Sequence, residues 1–179
     1  MRRHGRGRAR AWLALGLVAA ACGGGRSGGS STSPPPVPVA DRGPPLALVV
    51  AALDGGEIDL ASHRGQVVVV HVFTTWSLAA QSELDALSIA DADPEVVVIG
   101  LALDAEGRQL VAPWRAGAGV RYLIALADDA IRHGASGLGR LPAVPITIVL
   151  DRRGRVYTRV DETLGPGQLD AIVTAARAE

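Results

Sequence analysis

The residues with the most chemical promise lie in one stretch, "VFTTWSLAAQSEL", which starts at Val72. A β-branched run here gives way to a helical pattern, so the residue that opens the helix sits at the positive end of a helix dipole. That position suits a thiol, whose pKa it lowers from about 8.5 towards 7 or below. No cysteine is present; Ser77 opens the helix and Ala80 follows three residues later. A serine nucleophile needs an adjacent base and an oxyanion hole. No G-x-S-x-G surrounds Ser77, and His63, His71 and His133 are the histidines beyond the opening segment. Helix capping, worth about 1 kcal/mol, accounts for Ser77 without catalysis. His71 lies inside the strand run and reads as a satisfied core or edge residue, while His63 falls in a turn. A copper or zinc site wants clustered His, Cys or carboxylates, and neither a metal nor any other cofactor is expected. "GGGRSGG" has no strand before it and no Gly-Lys pair after it, which excludes a phosphate loop.

The chain has 179 residues and a formal net charge of zero, but the charge is unevenly placed. Five arginines crowd the first ten residues; the remainder carries 13 basic against 18 acidic side chains. A mildly acidic folded part carries no nucleic-acid footprint. Residues 1–21 combine a basic start, an apolar run and a small-residue zone, the pattern of an export signal. They lead to Cys22, the single cysteine, so no intramolecular disulfide can form. The run Ala19-Ala20-Ala21-Cys22 resembles the bacterial lipoprotein signal, with Ala19 where that family usually has Leu. The resemblance implies that Cys22 becomes a lipidated N-terminus. Residues 22–45, rich in Gly, Ser and Pro, read as anchor and linker, flexible first and polyproline-like later.

From Leu46 strands and helices alternate. "LALVVAAL" predicts a strand, and "QVVVVHVFTT" predicts a central strand buried on both faces. A helix is expected from Ser77 to about Ala90, a second central strand in "EVVVIGLALD", and a helix around residues 109–116. A short strand in "RYLIALAD", a helical turn in "DDAIRHG", a hairpin turning at Arg152–Gly154 and a C-terminal helix starting near Pro166 complete the pattern. This is a three-layer α/β sheet protein.

Residues 46–176 resemble the thioredoxin-like fold, in the branch of membrane-tethered, envelope-facing thiol–disulfide proteins (the TlpA/ResA type) and the wider redoxin group. "LDGGEIDLASHRGQVVVVHVF" looks like that branch's Gly-containing turn, short strand and first central strand. "TTWSLAAQSEL" is similar to its signature, in which Trp precedes Cys-x-x-Cys and Glu follows three residues later. "VPITIVLDRRGRV" resembles the segment in which a cis-proline precedes a strand, an Asp and a Gly hairpin. The resemblance implies a thioredoxin-like α/β/α sandwich with a mixed central sheet, spanning residues 46–179. It places the signature Trp at Trp76, the acid at Glu83, the cis-proline at Pro145, and the two cysteines on Ser77 and Ala80.

Thiol–disulfide exchange needs an attacking thiolate and a second thiol to resolve the mixed disulfide. An alcohol at Ser77 and a methyl at Ala80 supply neither, so the oxidoreductase or peroxidase activity implied by the family is disfavoured. Glu83, without a thiol to serve, is expected to be a helix-surface or first-turn charge. The expected function is a non-catalytic binding or scaffold module on the periplasmic side of a bacterial cell envelope, held to the membrane by an N-terminal lipid. Its groove beside Trp76, Ser77, Val144 and Pro145 would take an extended segment of an envelope protein.

Overall fold

The computed structural model describes residues 35–38 and 41–179. The segment read as an export signal and Cys22 lie outside the described residues. The organising element is β3, Val67–Phe73, whose seven residues are all buried. Four consecutive valines explain this: β-branched side chains fit a pleated surface, and a run without polar alternation suits a strand covered on both faces. β4 (Val96–Ala102) pairs with β3 in parallel, Val67 opposite Val96. β6 (Ile146–Leu150) pairs with its other side antiparallel, Val72 opposite Ile146. With β1 (Val49–Ala52), β2 (Glu57–Asp59), β5 (Leu123–Leu126) and β7 (Val156–Val160), they form one mixed sheet in the order β2-β1-β5-β4-β3-β6-β7.

Alternation along β3 sends its side chains into two cores. Val67, Val69 and Phe73 join α2 (Leu84–Asp91), α3 (Arg108–Ala118) and α5 (Pro166–Arg177) through Leu87, Val111 and Leu169. Val68, Val70 and Val72 face Leu60, Leu138 and Ile131, the last on α4 (Asp129–Arg132). The sheet is thus covered on both faces, the layered architecture expected from the sequence. Pro166 opens α5 at its first turn, where a missing N–H costs nothing.

Two expectations need correction. The helix expected from Ser77 to Ala90 is broken: α1 covers Leu78–Gln81, and α2 begins at Leu84. The break turns Glu83 inward and lets its carboxylate accept from the Leu164 N–H. The second correction concerns the end of the stretch read as linker. The Val37 N–H donates to the Tyr157 carbonyl at 2.8 Å, and Arg42 is buried. A chain segment with a buried guanidinium belongs to the folded unit, whatever its proline content. Among the described residues, no helix is long and apolar enough to cross a membrane.

Candidate functional site

At the C-terminal end of β3 the chain turns sharply through Thr74–Ser77 into α1. The Ser77 N–H donates to the Thr74 carbonyl at 3.1 Å, closing the turn. Ser77 has an extended backbone, with φ -79° and ψ 108°. Its Oγ accepts from the Ala80 N–H at 3.2 Å, which satisfies one of the free donors of the first helical turn. Among the described residues, no histidine is hydrogen-bonded to that hydroxyl. His71 lies on β3 with its Nδ1 directed at Thr147 and Glu83, so it is not placed as the base that a serine nucleophile at Ser77 requires.

Two residues before Ser77, Thr75 is held from both sides. Its N–H and its hydroxyl both donate to the Asp104 carboxylate, at 3.0 Å (Oδ2) and 2.8 Å (Oδ1), while its carbonyl accepts from Gln81 Nε2 at 2.9 Å. Asp104 is buried just beyond the end of β4, the strand that runs parallel to β3 and so finishes at the same end of the sheet. Trp76 is therefore gripped through both neighbours, yet its own side chain is 72 % exposed. Leu78, the first residue of α1, is 80 % exposed. Asp104 and Gln81 escaped the sequence reading; the signal for Asp104 was its place as the lone acid closing the apolar run "VVVIGLAL".

The register of β3 with β6 brings the second loop to this end of the sheet. Because Val72 opposes Ile146, the residues before Ile146 lie next to those after Val72. The Val144–Pro145 peptide bond is cis, Pro145 is buried and Val144 is partly exposed. The loop that leads to it is braced by Arg159 on β7, which donates to the carbonyls of Leu138 and Arg140 at 3.1 and 2.9 Å.

Behind the turn lies the residue that differs most from expectation. Glu83 is 2 % exposed, not a surface charge. Its Oε1 accepts from the Leu164 N–H, and its Oε2 lies 3.2 Å from His71 Nδ1. That nitrogen is also 3.3 Å from the hydroxyl of Thr147, the cross-strand partner of His71. Burial pushes the Glu83 carboxyl up to about 7, against the opposing pull of the Leu164 N–H. Burial also drives the His71 imidazole down to about 4, because the charged form loses its hydration. Both groups are thus neutral over the intervening range. Tyr122 stands near enough for the Asp91 and Glu83 carboxylates to add to the upward shift that burial gives its phenol. Nε2 of His71 and the Tyr122 hydroxyl have no partner among the described residues. No group of three or more His, Cys, Asp or Glu side chains that could hold a metal ion is found among the described residues.

No family model matches the chain, and no curated protein matches it. Solved structures do. The chain is similar to a secreted thiol-disulfide isomerase from Corynebacterium glutamicum, with a TM-score of 0.72 at 24 % identity, over 84 % of this chain and 95 % of that one. A DsbF homologue from Corynebacterium diphtheriae gives a TM-score of 0.70 at 20 % identity, over 82 % and 95 % of the two chains. A secreted disulfide oxidoreductase of Mycobacterium tuberculosis, described as homologous to E. coli DsbE, gives 0.60 at 20 % identity, over 72 % and 96 %. At such identities the likeness establishes the fold: the chain is a thioredoxin-like α/β protein whose single cysteine, Cys22, precedes the described residues.

Proposed function

We propose that this protein is an exported, lipid-tethered binding module that uses the thioredoxin-like scaffold without its redox chemistry. The observation that carries this reading is the presentation of Trp76. Three hydrogen bonds between Thr75 and its partners Asp104 and Gln81, together with the cap made by Ser77, fix the backbone on both sides of an indole that is mostly in solvent. A rigid, exposed aromatic carries little ordering cost when it is buried by a partner, and Trp is enriched among residues that dominate interface energetics. The partner is an extended segment of an envelope protein, which pairs through its backbone beside Val144 and Pro145 and covers the indole.

Two facts argue against the oxidoreductase or peroxidase alternative. The chain has one cysteine, so no intramolecular dithiol exists, and Ser77 and Ala80 cannot exchange sulfur. Export is supported by the basic and apolar opening of the chain and by structural neighbours described as secreted. Lipid attachment at Cys22 is supported by its lipoprotein-like setting.

The test is affinity capture from envelope extracts with the parent protein and with a Trp76→Ala, Val144→Asp variant whose circular dichroism matches the parent. A protein retained by the parent and lost by the variant supports the reading. Identical captures from the two, or none from either, overturn it.

A further inference from the structure

A sheet edge is an invitation to pair with another strand, and proteins protect such edges. This sheet has two. β2 closes one and is three residues long, too short to template much. β7 forms the other with five residues, Val156–Val160. Along β7 lie residues 35–38. The Val37 N–H donates to the Tyr157 carbonyl at 2.8 Å, and the Thr158 hydroxyl donates to the Pro35 carbonyl at 3.5 Å.

The composition of that segment gives it an unusual property. Pro35, Pro36 and Pro38 have no N–H, and Val37 has already committed its own to β7. The segment therefore covers an edge while presenting no backbone donor on its outer side, so it ends the ladder instead of extending it.

Arg42 holds the segment in place. Its Nε donates to the Val37 carbonyl at 2.8 Å. Its guanidinium lies over the Tyr157 ring at 4.7 Å from the centroid, where the face of the ring attracts a cation. Nη1 is 3.5 Å from the Asp151 carboxylate and Nη2 is 3.4 Å from that of Glu179. Asp151 is fully buried and is also bound by Arg155 at 2.9 Å and by the N–H groups of Arg153 and Arg155. The Arg42 side chain is 2 % exposed. A guanidinium that far from water needs its partners, so the seat is specific rather than a surface accident.

We propose that residues 35–38, locked by Arg42, are a strap built into the fold, which occupies the β7 edge and keeps the β7 of a second copy of this chain from pairing there. The experiment uses the full chain in a mild detergent, as the parent, Arg42→Ala and Val37→Pro. Nitration of Tyr157, which is buried beneath Arg42, reads strap release at low protein concentration, and light scattering across a concentration series reads association. The parent is expected to resist nitration and to stay monomeric. Both variants are expected to be nitrated at least tenfold faster and to form concentration-dependent dimers. Should Arg42→Ala fail to fold, Val37→Pro, which leaves the Arg42 and Asp151 side chains in place, carries the test alone. A parent nitrated as fast as the variants, or variants that release the segment and remain monomeric, would overturn the proposal.

Discussion

The Thr74–Ser77 turn and the His71–Glu83 pair come from the same dozen or so residues, yet they hold opposite kinds of group in opposite surroundings. The turn sets an indole and a leucyl side chain in water. The pair sets a carboxyl and an imidazole in a place that water does not reach. The indole points outward and does not hold the fold; the backbone bonds to Asp104, Gln81 and the first helical turn keep the shape. The interior differs. Removing either member of the pair takes a contact from a buried polar atom of the other, and a buried group left unsatisfied costs about 1–3 kcal/mol. One end of a sheet can thus leave its outward side chains open to change while the polar pair behind them stays locked in by packing.

The sharpest way to break this comparison is Glu83→Ala. It leaves the Leu164 N–H without its partner and His71 Nδ1 with the Thr147 hydroxyl alone, and it opens a void. Urea unfolding is expected to show a cost of about 3 kcal/mol. A loss below about 1 kcal/mol would show that the interior tolerates change as the turn does.

The pair also makes an unusual pH signature. Glu83 has a folded pKa of about 7 against an ordinary 4.5, so its contribution is full below about pH 4.5 and is lost as pH rises through 7. His71 has a folded pKa of about 4 against an ordinary 6.5, so its contribution is full above about pH 6.5 and is lost as pH falls through 4. Between pH 4.5 and 6.5 the slopes oppose each other. One proton resides on Glu83 in the folded chain and on His71 in the unfolded chain, with no net uptake. Stability of the parent is therefore expected to be flat across this window. Glu83→Gln leaves the histidine contribution, and stability should rise with pH by up to about 1.4 kcal/mol per pH unit. His71→Asn leaves the carboxyl contribution, and stability should fall with pH. Urea midpoints at four pH values for the three proteins decide the matter; parallel curves would sink the proton-exchange account.

On the turn itself the expected effects are smaller. Asp104→Ala removes both charge-assisted bonds to Thr75. Its cost by urea unfolding should be about 2 kcal/mol. Any Trp76-dependent capture should be lost as well, even though the indole is still present. Ser77→Ala removes the Oγ acceptor of the Ala80 N–H. It should cost about 1 kcal/mol, the ordinary value of a helix cap, with no change in capture. A larger effect of Ser77→Ala on capture than on stability would assign its hydroxyl to partner contact.

The framework was legible because its signals are local. Val67–Phe73 announces a doubly covered strand by four valines in a row, and Pro166 announces a helix start by its own ring. The cis bond before Pro145 followed from the likeness of its surrounding segment to a known pattern, not from local chemistry. What escaped depends on partners distant in sequence. Glu83 turns inward to meet Leu164, 81 residues on, and no nearby residue hints at it. Arg42 sits among prolines and glycines, a composition that suggests a linker, and finds Asp151 at a separation of 109. Thr75 and Asp104 meet only because two parallel strands end together. Composition and periodicity report whether a side chain prefers burial; they do not report which polar groups a fold will bury in pairs.

The placement of the tryptophans has a spectroscopic consequence. Of three in the chain, Trp12 belongs to the opening segment, Trp114 packs against Phe73 at 4.7 Å between ring centroids, and Trp76 stands in solvent. Emission from the folded domain is thus a sum of one sheltered indole and one hydrated indole. The hydrated one should emit at longer wavelength and be readily quenched by acrylamide. A ligand that covers the Thr74–Ser77 turn should shift its band to the blue and shield it from the quencher, leaving the Trp114 component unmoved. The protein carries its own optical gauge of whether that face is occupied.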